Sequence, residues 1–378
     1  MPPPTAILGF NTQLGSFFGW GCYSINVVLQ LLSGQQVHPL LLKRPALLED
    51  DPVLKYGLCR SIAETDLFLE ALPPTVPGSV VQLQVPVLHS LGQHFLESDF
   101  VPDRFWGMAN VGKVVFEIPH VGPMLSQNAA QFDLILTVSR WTTDYLQSVG
   151  IKAVCNPEGV DPARYFPAPK LGVFGERFVI FSGGKFELRK GQDIVAAAFE
   201  IFVKKHPDAF LIATWHNLWR DEVDLAAWIR SHGISEEYFW VPPPNSSCAP
   251  LMRESDVALF PNRCEGGHNF VALECMASGI PTILSANTGH LEIIHPEHPT
   301  DLILKSQAAV PCIDGLPTTQ GWGESHVDEV VAALEAVYTQ RQIYKDMAVS
   351  YSPLISQRHS WAQNALGLQE ALATYGIL

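Results

Sequence analysis

Short apolar runs recur along this sequence, and segments long enough for a helix separate them. The runs are apolar throughout instead of alternating with polar residues, which is the pattern of strands buried on both faces of a sheet. Strands that alternate with helices in this way predict right-handed βαβ units, and therefore an α/β fold with parallel sheets. The predicted strands are residues 6–10, 37–42, 80–85, 113–118, 134–138, 177–181, 209–214, 238–241, 257–260, 281–284 and 301–304.

A stretch rich in proline and glycine interrupts this pattern near the middle of the chain. Residues 156–169 read NPEGVDPARYFPAP and have no helix or strand periodicity, as expected of a connector between two domains. The sequence on either side of it is of the α/β type. Because parallel sheets bind ligands beyond the carboxyl ends of their strands, two such domains facing one another predict a substrate cleft between them.

The composition narrows the class of function. The 378 residues include 38 acidic and 24 basic side chains, a formal net charge of −14, which argues against nucleic acid as a partner because clustered Lys and Arg bind phosphate backbones. The seven cysteines include no C-x-x-C pair, which favours free thiols over a disulfide framework or a zinc site. Without a basic signal-peptide start or an apolar run of ~18 to 20 residues, a cytoplasmic protein with no integral membrane segment is expected.

Two segments of the second half carry candidate chemistry, and the first of them is cationic. Residues 181–193 (FSGGKFELRKGQD) place a glycine pair and three cations directly after a predicted strand. Tight backbone turns and positive charge at the carboxyl end of a strand favour binding of an anion, and a diphosphate is the expected ligand. A solvated basic turn before a helix is the alternative interpretation.

The second segment, residues 260–281, follows another predicted strand. A glycine pair turns the chain, Asn269 is a candidate N-cap, and a glycine followed by a proline ends the predicted helix. The N–H groups and the positive dipole end at the start of that helix favour phosphate oxygens or sugar hydroxyls. Glu265 and Glu274 supply acceptors for vicinal hydroxyls, and an ordinary surface glutamate is the alternative for Glu274.

Residues 265–281 (EGGHNFVALECMASGIP) resemble the donor-site motif EGFGLPxLEAMAxGxP of the retaining family 4 of GT-B glycosyltransferases, the glycosyl transferases group 1. Lys185 and Lys190 resemble that family's GRLxxxKG element, with lysine in place of its usual arginine. Residues 139–167 resemble the run that joins the family's two domains. The resemblance implies a GT-B fold, in which two Rossmann-like domains face each other across a cleft and a C-terminal helix crosses back to the first. The implied parts are an acceptor-binding domain over residues 1–165, a donor-binding domain over 166–355 and the returning helix over 356–378.

The resemblance also implies roles for individual residues. Lys185 and Lys190 would bind the donor diphosphate, and Glu274 would accept hydrogen bonds from the ribose hydroxyls. Glu265 would meet the hydroxyls of the transferred sugar. Further donor-site candidates are the turn and helix-start residues Gly266, Gly267, His268, Asn269 and Phe270, the N-terminal loop glycines Gly19 and Gly21, and His216 and Asn217 on the nucleotide side.

One spacing differs from the family motif. Eight residues separate Glu265 from Glu274, whereas seven are usual in the family. Either the loop carries one extra residue, or Gly266 occupies the first acidic position of the motif.

Two candidates for acid–base chemistry lie in the first half of the chain. Glu117 and His120 come just after a predicted strand, where many members of the family have a histidine or an ExxxP element facing the anomeric centre of the sugar. Either side chain could orient an acceptor hydroxyl or take its proton. A structural role is the alternative for both residues.

The expected activity is transfer of a sugar from a nucleoside-diphosphate sugar to an acceptor hydroxyl by a hexosyltransferase-type enzyme, with retention of configuration. These segments contain no DxD metal motif, so no metal or other cofactor is expected, and lysines and helix N–H groups would stabilise the leaving diphosphate. A GT-B nucleotide-sugar epimerase and a non-catalytic module that binds a nucleotide or a glycan are the alternatives. The nucleotide base and the acceptor stay open.

Overall fold

The chain divides into two compact units. The structure is a computed structural model that describes residues 6–15, 19–46, 52–72, 79–95, 104–216, 223–243, 248–312 and 315–378. Unit 1 comprises Met1–Gly159 together with His359–Leu378, and unit 2 comprises Val160–Arg358. The first boundary falls at residue 159 instead of the expected 165, and it lies inside the predicted connector.

Unit 1 alternates strands with helices. Its elements up to the connector are β1 (Ala6–Asn11), α1 (Gly19–Gly34), β2 (Val37–Leu41), α2 (Pro52–Ala71), β3 (Val80–Gln82), β4 (Val87–Leu91), β5 (Arg104–Trp106), β6 (Asn110–Val114), α3 (Pro123–Ala129), β7 (Leu134–Thr137), α4 (Arg140–Ser148) and β8 (Ala153–Cys155). Six strands form a parallel sheet in the order β2-β1-β4-β6-β7-β8, and β3 pairs with β5 in a sheet of their own.

Unit 2 repeats the same architecture. Its elements, followed by the last helix of the chain, are β9 (Phe178–Lys185), α5 (Gln192–Lys205), β10 (Ala209–His216), α6 (Leu225–Ser231), β11 (Phe239–Trp240), α7 (Ala249–Arg253), β12 (Val257–Phe260), α8 (Phe270–Ala277), β13 (Thr282–Ser285), β14 (Ile303–Leu304), β15 (Gln307–Ala309), β16 (Gly323–Ser325), α9 (Val327–Thr339), α10 (Arg341–Arg358) and α11 (Trp361–Thr374). Its parallel sheet has the order β11-β10-β9-β12-β13-β14. In the part of the chain that the structure describes, no helix is long and apolar enough to cross a membrane.

Helices cover both faces of the unit 2 sheet. Alternate residues of a strand point to opposite faces, and those of β9 belong to two different clusters of buried side chains. Phe178 and Ile180 pack with residues of α5 and α9, whereas Val179 and Phe181 pack with residues of α7, α8 and α10. This double cover explains why the strands are apolar throughout, and the predicted α/β fold with parallel sheets is confirmed.

Two strand predictions in unit 1 are wrong. The strand predicted at residues 113–118 is β6, which ends at Val114, and the run at 80–85 contains only the short β3. The sheet strand of that region is β4, which was not predicted because Pro86 precedes it and His89 lies within it. His89 is fully buried, and its Nε2 lies 3.0 Å from Asn110 Oδ1, so a satisfied polar side chain interrupts the apolar pattern there.

The last helix packs within unit 1, as the GT-B resemblance implies. Ser360 caps α11 by accepting a hydrogen bond from the Gln363 N–H at 3.1 Å. The ring of Trp361 at its start lies 6.1 Å from the ring of Tyr23 in α1, measured between centroids. Buried aromatic pairs of this kind stabilise the contact beyond the area that they cover.

Candidate functional site

The cationic segment forms a tight turn between β9 and α5. β9 continues through Lys185, four residues further than predicted, and a 3₁₀ turn at Leu188–Lys190 leads into the helix. Gly191 between them has a φ of +69°, a conformation that favours glycine, and a Cβ there would overlap the carbonyl oxygen of Pro261. This close approach brings the turn against the loop that follows β12.

Lys190 and Arg189 bind the carboxylate of Glu265 across that contact. Lys190 Nζ lies 2.6 Å from Oε1, and Arg189 Nη1 lies 3.2 Å from Oε2. Asn262 also donates to Oε1 through its Nδ2. The side chains of Glu265, Arg189 and Lys190 are 5%, 10% and 11% exposed. Because Gly266 has no side chain, the acidic group that faces these cations is Glu265.

Opposing effects set the ionisation of Glu265. Burial by itself raises the pKa of a carboxyl group because it disfavours the charged form. The charges of Lys190 and Arg189 outweigh burial and lower the pKa of Glu265 from 4.5 to about 2. Glu265 is therefore an ionised hydrogen-bond acceptor across the physiological pH range.

Lys185 is the most exposed of the three cations in the turn. Its side chain is 43% exposed, and its Nζ lies 4.0 Å from a Glu187 carboxylate oxygen. The same Glu187 binds Arg189 Nε at 2.8 Å. The three cations of the turn thus contact two carboxylates, Glu187 and Glu265, and the contact of Lys185 is the longest of them.

The loop before α8 ends in an unusual N-cap. Asn269 caps the helix, as the sequence predicts, because its Oδ1 accepts a hydrogen bond from the Ala272 N–H at 3.4 Å. An N-cap residue normally has an extended backbone, but Asn269 has a φ of +66°. The first N–H groups of a helix have no partner within it, so this loop carries both Glu265 and the donor end of α8.

Glu274, in the second turn of α8, has a different environment. It is partly buried, and the Tyr165 side chain hydrogen-bonds to it. Burial raises the pKa of Glu274 from 4.5 to about 8, although Tyr165 and Arg164 act in the opposite direction. At neutral pH one carboxyl group of the motif is therefore ionised and the other is mostly protonated.

The sequence-predicted residues are found in both units. Those of unit 2 lie after β9 or β12, at the ends of β9 and β10, or in α8: Lys185, Lys190, His216, Glu265, Gly266, Gly267, His268, Asn269, Phe270 and Glu274. In unit 1, Gly19 and Gly21 lie in the first turn of α1, and Glu117 and His120 follow β6. Asn217 lies outside the described residues.

The loop after β6 is tied to its own unit by Gln93. The Glu117 N–H donates to Gln93 Oε1 at 2.8 Å, and Gln93 Nε2 donates to the Ile118 carbonyl oxygen at 3.0 Å. Glu117 is half-buried, whereas His120 is exposed. The backbone of this loop is therefore fixed while the His120 ring faces solvent.

Sequence reasoning missed several residues that hold the site together. Arg189 lies in the cationic segment, but only the fold shows that it shares Glu265 with Lys190. Arg263 binds Asp193 with two hydrogen bonds, from Nη1 at 2.8 Å and from Nη2 at 2.6 Å, which ties the Glu265 loop to the start of α5. No spacing rule predicts such a contact, because the two residues come from different βα units.

Part of the chain resembles known proteins in sequence. Residues 167–310 match the family model of the glycosyl transferases group 1. A phosphatidyl-myo-inositol mannosyltransferase from Mycolicibacterium smegmatis is 30% identical over 154 residues, 39% of this chain and 36% of that protein. A D-inositol 3-phosphate glycosyltransferase from an Arthrobacter species is 27% identical over 180 residues, 44% of this chain and 42% of that protein. The chain thus covers less than half the length of these curated relatives.

Solved structures resemble nearly the whole chain. Sucrose-phosphate synthase from Thermosynechococcus elongatus has a TM-score of 0.66 at 13% identity, covering 99% of both chains. Anabaena HepE in complex with UDP-glucose has a TM-score of 0.61 at 14% identity, covering 98% of this chain and 99% of that one. This protein therefore has the fold of the GT-B glycosyltransferases.

Proposed function

We propose that this protein is a glycosyltransferase that moves a sugar from a nucleoside-diphosphate sugar to an acceptor hydroxyl. The proposal rests on one observation. The cationic turn, Glu265 and the start of α8 lie together at the carboxyl edge of one parallel sheet. The names of the curated relatives, a mannosyltransferase and a glycosyltransferase, support it. The Anabaena structure, solved with UDP-glucose, supports the class of donor.

The donor diphosphate binds at the cationic turn. Lys185, the exposed cation, contacts one phosphate, and Lys190 and Arg189 add the positive charge that Glu265 does not neutralise. Backbone N–H groups of residues 267–270 hold the hexose and the phosphate next to it, since the start of a helix favours anions. Glu265, kept ionised by its two cations, accepts hydrogen bonds from the sugar hydroxyls.

The ribose of the donor binds Glu274, and His216 lies on the nucleotide side. Hydroxyl groups that donate to a carboxylate favour its ionised form, so they offset the burial that raises the pKa of Glu274. Binding of the nucleotide below about pH 8 should therefore release a proton. A pyrophosphate without a nucleoside does not reach Glu274 and should release none there.

Catalysis rests on stabilising the diphosphate as it leaves the anomeric carbon. Negative charge grows on its oxygens, and removal of one group that stabilises such charge typically costs ~2.7 to 4 kcal/mol. We assign this role to the cations of the turn, without a divalent ion.

Retention of configuration is proposed because residues 265–281 resemble the motif of the retaining family, and no nucleophile is assigned. Glu117 or His120 orients the acceptor hydroxyl or takes its proton. All seven cysteines are free thiols, which supports a reducing compartment such as the cytoplasm.

A thermal-shift screen against UDP, GDP, ADP and dTDP tests the donor class. A ligand at about 100 times its dissociation constant stabilises the folded state by ~2.7 kcal/mol. Lys185→Met should abolish the shift caused by the active nucleotide, and Lys204→Met, at a lysine that is 69% exposed in the same unit, should leave it unchanged. Incubation with the matching labelled nucleotide sugar should then release nucleoside diphosphate.

Two results would contradict the proposal in different ways. Saturable binding without release identifies a non-catalytic binding module. No stabilisation by any of the four nucleotides overturns the donor site itself.

A further inference from the structure

The turn after β13 packs tightly against the loop that carries Glu265. The Gly289 N–H donates to the Glu265 carbonyl oxygen at 2.9 Å, and a Cβ on Gly289 would overlap the carbonyl oxygen of Gly267. The Glu265 N–H donates to Thr288 Oγ1 at 2.8 Å. Thr288 itself has a φ of +38°, an uncommon and costly conformation for a β-branched residue. The turn therefore supports the loop at the expense of local backbone strain.

A chain of hydrogen bonds runs through His290 from the first turn of α8 to Asn262, in the loop after β12. The Ala272 N–H donates to Asn269 Oδ1 at 3.4 Å, and Asn269 Nδ2 lies 3.1 Å from His290 Nε2. His290 Nδ1 lies 2.9 Å from Ser285 Oγ, which donates to the Asn262 carbonyl oxygen at 2.7 Å. The chain connects the two ends of the loop.

The donor and the acceptor of every hydrogen bond in this chain follow from the two bonds at its ends. Asn269 uses its oxygen for the helix cap, so its amide hydrogens face His290 and Nε2 must accept. The Ser285 hydroxyl donates its hydrogen to the Asn262 carbonyl oxygen. Its own oxygen therefore accepts from His290, and His290 Nδ1 must carry a hydrogen. Only the neutral ring with its hydrogen on Nδ1 satisfies both neighbours. A ring with hydrogen on Nε2 would oppose the Asn269 amide and break the cap.

Burial keeps the ring in this neutral state. It lowers the pKa of His290 from 6.5 to about 4, and the charges of Lys190 and His268 act in the same direction. The carboxylate of Glu265 opposes them without reversing the shift. His290 is fully buried, so the hydrogen-bond chain persists across the physiological pH range.

We propose that His290 is a positioning residue of the donor site, which holds Asn269 in its left-handed conformation so that the first N–H groups of α8 face the donor phosphate. This role rests on the proposed function. Asn tolerates a positive φ better than most residues, but the side chain must still be held for both the cap and the backbone geometry to persist. His290 provides that contact from outside the motif.

Two substitutions separate positioning from simple packing. In His290→Gln the amide oxygen reaches the place of Nε2 and accepts from Asn269, whereas His290→Asn reaches only the place of Nδ1 and keeps the Ser285 contact. Both variants remove one ring from the same buried position. We therefore expect both to lower the free energy of unfolding by similar amounts.

Inorganic pyrophosphate, titrated calorimetrically into the full-length protein, is the probe. His290→Asn should weaken pyrophosphate binding about tenfold, the effect of about one hydrogen bond, and His290→Gln should restore most of the affinity. Spectra of ¹⁵N-histidine-labelled protein supply a readout that is independent of any ligand. The resonance lost in both variants should show a hydrogen on Nδ1 alone at pH 7.

The outcomes distinguish this inference from the proposed function. Wild-type protein that binds neither pyrophosphate nor any of the four nucleotides overturns the proposed function, and the positioning role falls with it. Tight pyrophosphate binding by the wild type and equal binding by both variants overturns the positioning role alone. A His290 resonance with its hydrogen on Nε2 contradicts the hydrogen-bond chain itself.

Discussion

Each unit contains a buried glutamate paired with a lysine, and the surroundings of the two pairs differ. In unit 1, Lys113 Nζ hydrogen-bonds to Glu158, the two side chains are 1% and 6% exposed, and the ring centroid of Tyr23 lies 4.0 Å from Nζ. In unit 2, Lys190 lies 2.6 Å from Glu265, which Arg189 and Asn262 also contact. The first pair is balanced and enclosed by aromatic rings. The second belongs to a larger cluster, in which Arg189 also binds Glu187.

This difference distinguishes an ion pair with a structural role from one that could contact a bound ligand. Burial lowers the pKa of Lys113, and the charge of Glu158 raises it again, so each member of the unit 1 pair depends on the other. At Glu265 a second cation shares the carboxylate, and the exposed Lys185 lies in the same turn. Lys185, with a side chain 43% exposed and a 4.0 Å contact to Glu187, is the cation of this cluster that an incoming anion can reach most easily.

The largest expected effect is on the stability of unit 1. Lys113→Met leaves Glu158 buried without its cation, and removal of one partner of a buried pair typically costs about 3 to 5 kcal/mol. Urea denaturation measures this loss. The double variant Lys113→Met with Glu158→Gln should recover much of it, because no unpaired charge remains.

The exposed pair of Lys204 and Glu200 provides the matched control. Lys204→Met removes a cation that is 69% exposed, and exposed pairs contribute about 0 to 1 kcal/mol. Equal losses for Lys113→Met and Lys204→Met would contradict the structural role of the unit 1 pair.

Lys190→Met should affect catalysis more than stability. Arg189 and Asn262 still bind Glu265 in this variant, so the loss in unfolding free energy should be smaller than for Lys113→Met. The rate of sugar transfer should fall about 10²- to 10³-fold, as for other groups that stabilise developing charge. Steady-state kinetics and urea denaturation of the same samples test both parts. Recovery of transfer in Lys190→Met with Glu265→Gln would show that the lysine serves only to neutralise Glu265.

The two motif carboxyl groups should give stability profiles of opposite sign. The pKa of Glu265 is lowered to about 2, so its stabilising effect is present above pH 4.5 and is lost as the pH falls from 4.5 to about 2. The pKa of Glu274 is raised to about 8, so its effect is present below pH 4.5 and is lost as the pH rises through 8. The two shifts correspond to about 3 kcal/mol for Glu265 and about 5 kcal/mol for Glu274.

Denaturation as a function of pH, with Gln at each position, measures these profiles. Glu265→Gln should remove the acid-side loss and Glu274→Gln the alkaline-side loss. If stability still fell to the same extent with rising pH in Glu274→Gln, a group other than Glu274 would cause that loss.

The smallest expected effect is that of Lys185→Arg, which restores the residue usual in the family. Lys185 is 43% exposed, and an arginine there adds a planar fork able to bind a phosphate with two hydrogen bonds. We expect a tighter KM for the donor, by about threefold, with little change in kcat, as one added charge-assisted hydrogen bond in partial solvent allows. A loss of affinity instead would indicate that the compact ammonium group is required.

Much of this architecture and of the candidate site was predictable from local sequence patterns. Buried strands between helices are apolar along their whole length, and this pattern located all six strands of the unit 2 sheet but only β1, β2 and β7 of the six strands in the unit 1 sheet. Asn269 and the cations of the turn were predictable because caps and phosphate loops need particular residue types at fixed offsets. The strand β4 was missed because one satisfied histidine inside it breaks the apolar pattern.

The rest could not be predicted because it depends on contacts between distant segments. Nothing near His290 in the sequence indicates that it binds Asn269, since the contact arises only when β12 and β13 pair side by side. The opposite ionisation of Glu265 and Glu274 has the same origin. Both carboxyl groups belong to one motif, but the cations that ionise Glu265 come from the turn after β9.

By itself, therefore, the amino-acid sequence determined the α/β class, the connector between two domains and the identity of the motif residues, because each follows from periodicity or from residue type at short range. Only the tertiary structure decided which side chains share a charge, which carboxyl group is protonated and which residue holds Asn269. Pairing and burial change the free energy of a charge by several kcal/mol, and both are properties of the folded chain in three dimensions.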